Sequence, residues 1–501
     1  MNIIRGFVAI LGSKVGSLFL GVVTTPLIVR FLGSAQYGDY AFLLSVLGVT
    51  MILTNAGIFD GTRKYIAEDK KNPTWVKRVF GFYFRVAILL AFVVGMAVAA
   101  FSWFGLTERF LGVGFKAYFY LLGLLIVARQ ANSVARGGLM GLGLENRSEP
   151  LVVLRKIVFG ISVLSLLYLG YEVSGVLISH LFATGFTAAI AYVFFFNQVD
   201  LKAVVTRVSD DFPRRKLLAF NSLSIVLILL TASLYHVDIL FLRLITGDQA
   251  TGYYRGALVI AEFLWFVPNA LQMVLLHSTS KLWSEDQSEQ ITQLASQTTR
   301  YNLSLVLLLA IGLAALAGDF LPIYFGPEFE ASVRPLLLLL PGTIGFALAR
   351  PIFAIGQGKG DLRILILATG TVAAVNVVLN ALLIPTYGLI GAATATSVGY
   401  GLMAVLHIIA ARRIGFDPVQ DLRLARMGLV AVIAGVVILG AAALIDSSIL
   451  SLIIVPPLGF IVYSILTLRL NVISPEEIEP IATRLPEPLG QHLRTILRSF
   501  G

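Results

Sequence analysis

The sequence predicts an all-α integral membrane protein of about fourteen transmembrane helices, two six-helix lobes followed by two further helices. Three observations predict it. Apolar runs of spanning length recur along the whole chain, lysine and arginine gather on one side of those runs, and a short glycine motif repeats at nearly half-chain spacing.

The apolar runs come first. Of 501 residues, 57% are hydrophobic and 13% are charged. Soluble domains carry about 25% charged residues, so this chain has about half the usual solubilising surface. A helix crosses the hydrocarbon core with about 20 apolar residues. Runs of that kind lie near 6–29, 38–59, 81–104, 117–139, 150–169, 173–196, 217–242, 256–277, 302–321, 335–355, 364–384, 388–410, 427–445 and 449–468. Lys14 interrupts the first run and no small-x-small cleavage site follows, so the N-terminal run reads as a retained span.

Charge placement gives the orientation. With the N-terminus inside, the inside segments hold 28 of the 38 lysines and arginines and the outside loops hold 6. That asymmetry predicts a cell-membrane, multi-pass protein with both termini cytoplasmic. It also accounts for the net charge of +10 without invoking nucleic acid.

The repeat gives the lobes. Residues 33–40 (Gly-Ser-Ala-Gln-Tyr-Gly-Asp-Tyr) match 247–254 (Gly-Asp-Gln-Ala-Thr-Gly-Tyr-Tyr), Gly141 and Gly143 match Gly356 and Gly358, and Gly175 matches Gly391. Six spans per repeat is an even number, so the repeats are parallel, related by a pseudo-two-fold along the membrane normal. The expected domains are an N-lobe (1–205), a C-lobe (206–410), two added helices (411–470) and a cytoplasmic amphipathic tail (471–501). Two such lobes would enclose a central cavity and work by alternating access.

Several function classes are excluded. There is no cysteine, hence no disulfide framework or thiol nucleophile, and the five histidines have no metal-ligand spacing. No Walker motif is present, so direct use of ATP is not expected, and neither is any cofactor. No outside loop exceeds roughly twenty residues, which leaves little room for the extramembrane catalytic domain of a membrane glycan polymerase or ligase.

A family resemblance rests on three stretches. Asp238-Ile-Leu-Phe-Leu-Arg-Leu-Ile-Thr-Gly247 running into Gly252-Tyr-Tyr254 is similar to the seventh-helix signature of polysaccharide and O-antigen flippases. Asn376-Val-Val-Leu-Asn380 through Pro385 and Gly388 to Gly391 resembles their eleventh-to-twelfth helix turn, and Pro26–Gly38 fits their opening. These flippases belong to the multidrug/oligosaccharidyl-lipid/polysaccharide exporter superfamily, and the resemblance covers spans one to twelve. It implies a non-enzymatic flippase that moves a polyprenyl-(pyro)phosphate-linked oligosaccharide from the cytoplasmic to the outer leaflet. Its partners would be that lipid-linked oligosaccharide, membrane lipid and, among proteins, a glycan polymerase or glycosyltransferase, with no nucleic acid. The resemblance also implies that helices thirteen and fourteen could form a groove for the lipid tail. A cation-coupled drug antiporter of the same superfamily, and a membrane glycan polymerase or ligase, stand as alternatives.

Ionisable groups at membrane depth cost about 2.5–3.5 kcal/mol each on insertion scales, so each needs a reason. Lys14, Arg85, Arg129 and Arg350 lie within spans, against Asp238 and Glu262, with Asp39 and Asp60 at the borders of span two. The basic excess suits a phosphate, for which arginine offers a bidentate fork and lysine a point charge. A cationic-drug exporter would want a carboxylate in span one, where this chain has Lys14. Arg85 and Arg350 are close enough to an inner end to be interface anchors. Arg129 either faces the cavity or pairs with an acid such as Glu262. The candidate substrate-binding set is Lys14, Arg30, Arg63, Arg129, Arg255, Arg350, Asn376 and Asn380. Asp60, Asp238 and Glu262 are coupling or ion-pair candidates, and no catalytic residue or metal site is expected.

The bland readings are concrete. Span one carries Gly12-x-x-x-Gly16 and a small or polar stripe, Ser13, Ser17, Gly21 and Thr24, suited to close helix packing or to a cavity wall beside Lys14. Asn376 and Asn380 share a face one turn apart and suit interhelical hydrogen bonds or a sugar path. Pro26 and Pro268 could bend equivalent helices. Asn146-Arg-Ser148 matches a glycosylation sequon on an inside loop and reads as chance. In the tail, Ser474-Pro475-Glu476-Glu477 reads as a capping box, followed by an apolar face of Leu489, Leu493, Ile496, Leu497 and Phe500 for an interfacial helix.

Overall fold

The computed structural model describes residues 3–55, 57–204, 212–219, 222–360, 362–483, 487 and 491. Every regular element among them is helical. Among the described residues, eleven helices are long and apolar enough to cross a membrane. Two helices are of double length, Ile3–Asn55 with 53 residues and Arg363–Ile414 with 52, and each is broken at one glycine. The breaks fall at Gly33 (φ 68°, ψ 176°) and Gly388 (φ 52°, ψ −126°), positive-φ conformations that only glycine adopts readily. The chain thus reverses through a single residue where spans one and two, and eleven and twelve, were expected to meet.

Packing divides the described chain into two units, Met1–Arg255 with Asn380–Leu389, and Gly256–Leu379 with Ile390–Gly501. The first unit contains α1 (Ile3–Asn55), α2 (Ile58–Glu68), α3 (Pro73–Trp103), α4 (Leu106–Leu111), α5 (Phe115–Gly141), α6 (Glu145–Tyr168) and α7 (Glu172–Phe196). It continues through α8 (Arg214–Ala219), α9 (Ser222–Ile245) and the first half of α10 (Asp248–Glu262). Asn72 starts α3, its side chain accepting from the backbone N–H groups of Thr74 and Trp75 at 3.2 Å, with Pro73 in the first helical position.

α5 is the centre of this unit, packed by α7, α3 and α2. Near one end an aromatic cluster fills the core, with Phe80 and Phe195 stacked at 4.0 Å and Phe82 against Phe212 at 5.5 Å. The segment around α8 docks there. Leu217 is buried, and the hydroxyl of Tyr83 donates to its carbonyl at 3.1 Å. α1 packs on α6 through the small-residue stripe: a Cβ at Gly16 would touch Val153, and one at Gly160 would touch Thr24. Gly12 and Gly21 face open space.

The two copies of the repeated motif meet within this unit. A Cβ on Gly38 would collide with the Asp248 carbonyl, and one on Gly252 with the Ser34 carbonyl, so two backbones cross in reciprocal contact. Beside the crossing, Arg243 and Asp39 form a largely buried ion pair at 2.6 Å.

The second unit holds α11 (Phe266–Ser284), α12 (Ser288–Phe325), α13 (Val333–Gly358), most of α14 (Arg363–Ile414), α15 (Leu424–Ala443), α16 (Ser448–Arg469) and α17 (Pro475–Ala482). A 3-10 turn, Phe263–Trp265, separates α10 from α11 just before Pro268. Pro351 lacks the N–H that would serve the Ala347 carbonyl inside α13, and Asn302 of α12 donates to that carbonyl at 2.8 Å instead.

α15 and α16 pack on α12 around Met427, Val430, Ala434, Ile438, Val455 and Tyr463. A charge cluster closes one end of that seam. The fully buried Arg300 bonds both Asp421 and Glu477, and Arg423 lies 3.6 Å from Glu477. Glu477 also accepts from the backbone N–H of Ser474 at 3.0 Å, the return half of a capping box at the start of α17. The apolar tail face expected at Leu489–Phe500 lies outside the described residues.

Candidate functional site: a basic cluster in the first unit

The base of the site is a neutralised layer. Glu149, on the first turns of α6, is buried, accepting from Arg136 of α5 at 3.0 Å and from the Ser13 hydroxyl of α1 at 2.8 Å. One carboxylate thereby ties three helices. Lys14, next to Ser13, is exposed and within Coulombic reach of Glu149.

Two helical turns further along, the charge balance changes. Arg129 lies on the same face of α5 as Arg136, and Lys156 on the same face of α6 as Glu149, about 10 Å along each axis. Arg129, Arg155 and Lys156 are half-buried and within Coulombic reach of one another. None of the three has an ion-pair partner among the described residues. Three cations therefore lie within Coulombic reach of one another with no paired carboxylate among the described residues.

An aromatic wall borders the cations. The Tyr40 hydroxyl and His180 Nε2 share a hydrogen bond at 2.8 Å, and the His180 ring stacks on Phe159 at 4.1 Å. Tyr40 lies within electrostatic reach of both Arg129 and Arg255, so these two sequence candidates converge on one hydroxyl. Arg255 also reaches toward His236.

The other candidates sit elsewhere. Arg30 is exposed on α1, and Arg85 is exposed on α3. Arg63 pairs with Asp60 at 3.7 Å on α2, both about half exposed, the geometry of a solvated border. Asp238 is buried and accepts from the Tyr254 hydroxyl. In the second unit, Arg350 lies 4.5 Å over the Phe346 ring and donates to Gln272 at 3.3 Å. Its neighbour His407 is buried, with Nδ1 at 2.9 Å from the Met403 carbonyl. Asn376 is buried and donates to the Ala395 carbonyl at 3.4 Å, linking the two halves of α14. Asn380 is fully buried, and Glu262 is half-buried at the end of α10.

Sequence reasoning missed Arg155, Lys156, Glu149, Tyr40 and His180. Arg155 and Lys156 stand at the start of the apolar run 150–169, and their charge reads with the basic inside segment that precedes it. The available signal was helical spacing: 129 with 136, and 149 with 156, each recur at two turns on one face.

Chemically, the arrangement suits an anion better than a cation. It offers two guanidinium forks, one ammonium, and hydroxyl and imidazole groups beside them. The family model described as "Polysaccharide biosynthesis protein" matches residues 3–276. The probable low-salt glycan biosynthesis flippase Agl15 of Haloferax volcanii is 22% identical over 399 residues, covering 78% of this chain and 79% of that one. Among solved structures, the lipid II flippase MurJ in an inward closed conformation superposes with a TM-score of 0.73 at 14% identity, covering 93% of this chain and 98% of that chain. An inward-facing multidrug resistance MATE transporter superposes with a TM-score of 0.60 at 17% identity, covering 79% of this chain and 94% of that chain. The chain belongs to the polysaccharide biosynthesis protein family, and its membrane-helix fold is that of the MurJ and MATE structures.

Proposed function

We propose that the protein flips a polyprenyl-(pyro)phosphate-linked oligosaccharide from the cytoplasmic to the outer leaflet by alternating access, and that Arg129, Arg155 and Lys156 receive its phosphate. The observation that carries this is the uncompensated triad. Three half-buried cations, with no ion-pair partner among the described residues, are costly within a membrane protein unless an anion visits them. A cationic drug would meet repulsion there, which disfavours the drug-antiporter reading.

Lys14 and Arg255 extend the positive region, on the Glu149 side and beside Tyr40. Arg350, Asn376 and Asn380 are assigned to the sugar or phosphate path, and Asp238 and Glu262 to coupling. The charge asymmetry of the loops supports both termini being cytoplasmic in the cell membrane. The division into lobes 1–205 and 206–410, helices 411–470 and tail 471–501 belongs to the same proposal.

The test is deletion of the gene in its own host, followed by complementation. Loss of surface glycan with accumulation of its lipid-linked precursor, restored by the wild-type gene and not by Arg129→Ala/Arg155→Ala at equal membrane abundance, is the expected result. Unchanged glycan in the deletion strain would overturn the reading.

A further inference from the structure

His180 stands against the triad without being one of its cations. It is held from two sides, by the Tyr40 hydroxyl at 2.8 Å and by the Phe159 ring at 4.1 Å. α7 packs against α5, α6 and α1. The charged and titratable groups those helices bring to His180 are Arg129 from α5, Arg155 and Lys156 from α6, and Tyr40 from α1, with Tyr37 behind it at a ring distance of 6.3 Å. The buried carboxylate of this region, Glu149, is committed to Arg136 and Ser13.

Like charges oppose one another strongly where water is scarce. Three cations therefore resist a fourth beside them. A phosphate seated on those three cations removes that resistance and replaces it with attraction. We propose that His180 is a proton-binding site coupled to the substrate's phosphate, taking up one proton from water when the anion docks and returning it when the anion leaves.

The hydrogen bond gives the proton a defined place. In the protonated ring Nε2–H donates to the Tyr40 oxygen, and the hydroxyl hydrogen of Tyr40 is then free to donate elsewhere. Phe159 stacks on the ring face and leaves both nitrogens in the ring plane. By linkage, the factor by which the anion favours the proton is the factor by which the proton favours the anion. Binding would therefore weaken by up to tenfold per unit rise in pH across the titration. The inference rests on the triad being a phosphate site.

The test uses the full chain in detergent and sulfate as probe, a tetrahedral dianion that keeps its charge between about pH 5 and pH 8, where imidazole changes charge. Calorimetry in buffers of different ionisation enthalpy counts protons taken up per sulfate bound. The wild type should take up about one. His180→Gln, which keeps a hydrogen-bonding side chain toward Tyr40, should bind sulfate and take up none. Binding that depends on Arg129 with no proton uptake in the wild type, or uptake unchanged in His180→Gln, overturns this inference alone. Failure of sulfate to bind, or binding unaffected by Arg129→Gln with Arg155→Gln, overturns the phosphate site and the inference together. Should His180→Gln fail to fold, the proton count of the wild type decides.

Discussion

The cluster at Arg300 makes the clearest quantitative prediction. Its side chain is fully buried, while its partners differ: the Asp421 side chain is 49% exposed and that of Glu477 only 19%. Glu477→Gln keeps the shape and still accepts from Ser474, but removes the charge facing Arg300 and Arg423. A hydrogen bond to a charged group contributes about 1.5–3 kcal/mol, so destabilisation of that order is expected. Asp421→Asn should cost less, about 0–1 kcal/mol, because solvent screens a half-exposed carboxylate. The double variant leaves a buried guanidinium with neither carboxylate and should cost about 3–5 kcal/mol. Adding Arg300→Met removes the stranded charge and should recover most of that loss. Thermal unfolding of the purified protein in detergent orders the variants, and a double variant worse than the sum of the singles reports the coupling. A Glu477→Gln protein as stable as wild type, or a triple variant as weak as the double, would refute this account of the C-terminal helices.

At the crossing of the repeated motifs, Gly38→Ala and Gly252→Ala each put a methyl into a backbone carbonyl, and each should cost about 1–3 kcal/mol in the same unfolding assay. Their double variant should cost less than the sum, since one displacement relieves both. Asp39→Asn should lower stability by about 1.5–3 kcal/mol by weakening the largely buried pair with Arg243, and unchanged unfolding would contradict that pairing. Arg129→Ala should abolish glycan complementation at normal membrane abundance, and Arg129→Lys should restore only part, since a point charge replaces a fork. A reporter active only in the cytoplasm, fused after Gly501, should give signal; silence from a stable fusion would reverse the topology.

The apolar runs placed helices closely where the bilayer sets the ends. The run at 173–196 became Glu172–Phe196, and that at 449–468 became Ser448–Arg469. Where a helix continues past the apolar run, hydropathy carries no signal. α12 begins at Ser288 although its apolar run starts near residue 302, because the added turns are polar and bury only a stripe including Ile291, Ala295 and Thr299. The turn between the first two spans read as a loop of several residues, yet Gly33 makes the reversal alone.

The site divided in the same way. Arg129 stood out in the sequence because a lone arginine in an apolar run needs a reason, either a cavity-bound anion or a buried acid such as Glu262. Arg155 with Lys156 was not, because two adjacent cations at the edge of a run look like a loop border. The Tyr40–His180 contact spans 140 residues of sequence, and only the folded chain brings it together.

Movement of a lipid-linked glycan through a basic site can be followed by reconstitution. Vesicles containing the protein and a fluorescent polyprenyl-pyrophosphate oligosaccharide, with probe accessibility read by a membrane-impermeant quencher, report transfer between leaflets. Rapid transfer is expected with wild-type protein and, with the Arg129→Ala/Arg155→Ala variant, only the rate of protein-free vesicles. Equal transfer by both proteins, or none by either while a cationic drug crosses instead, would contradict it.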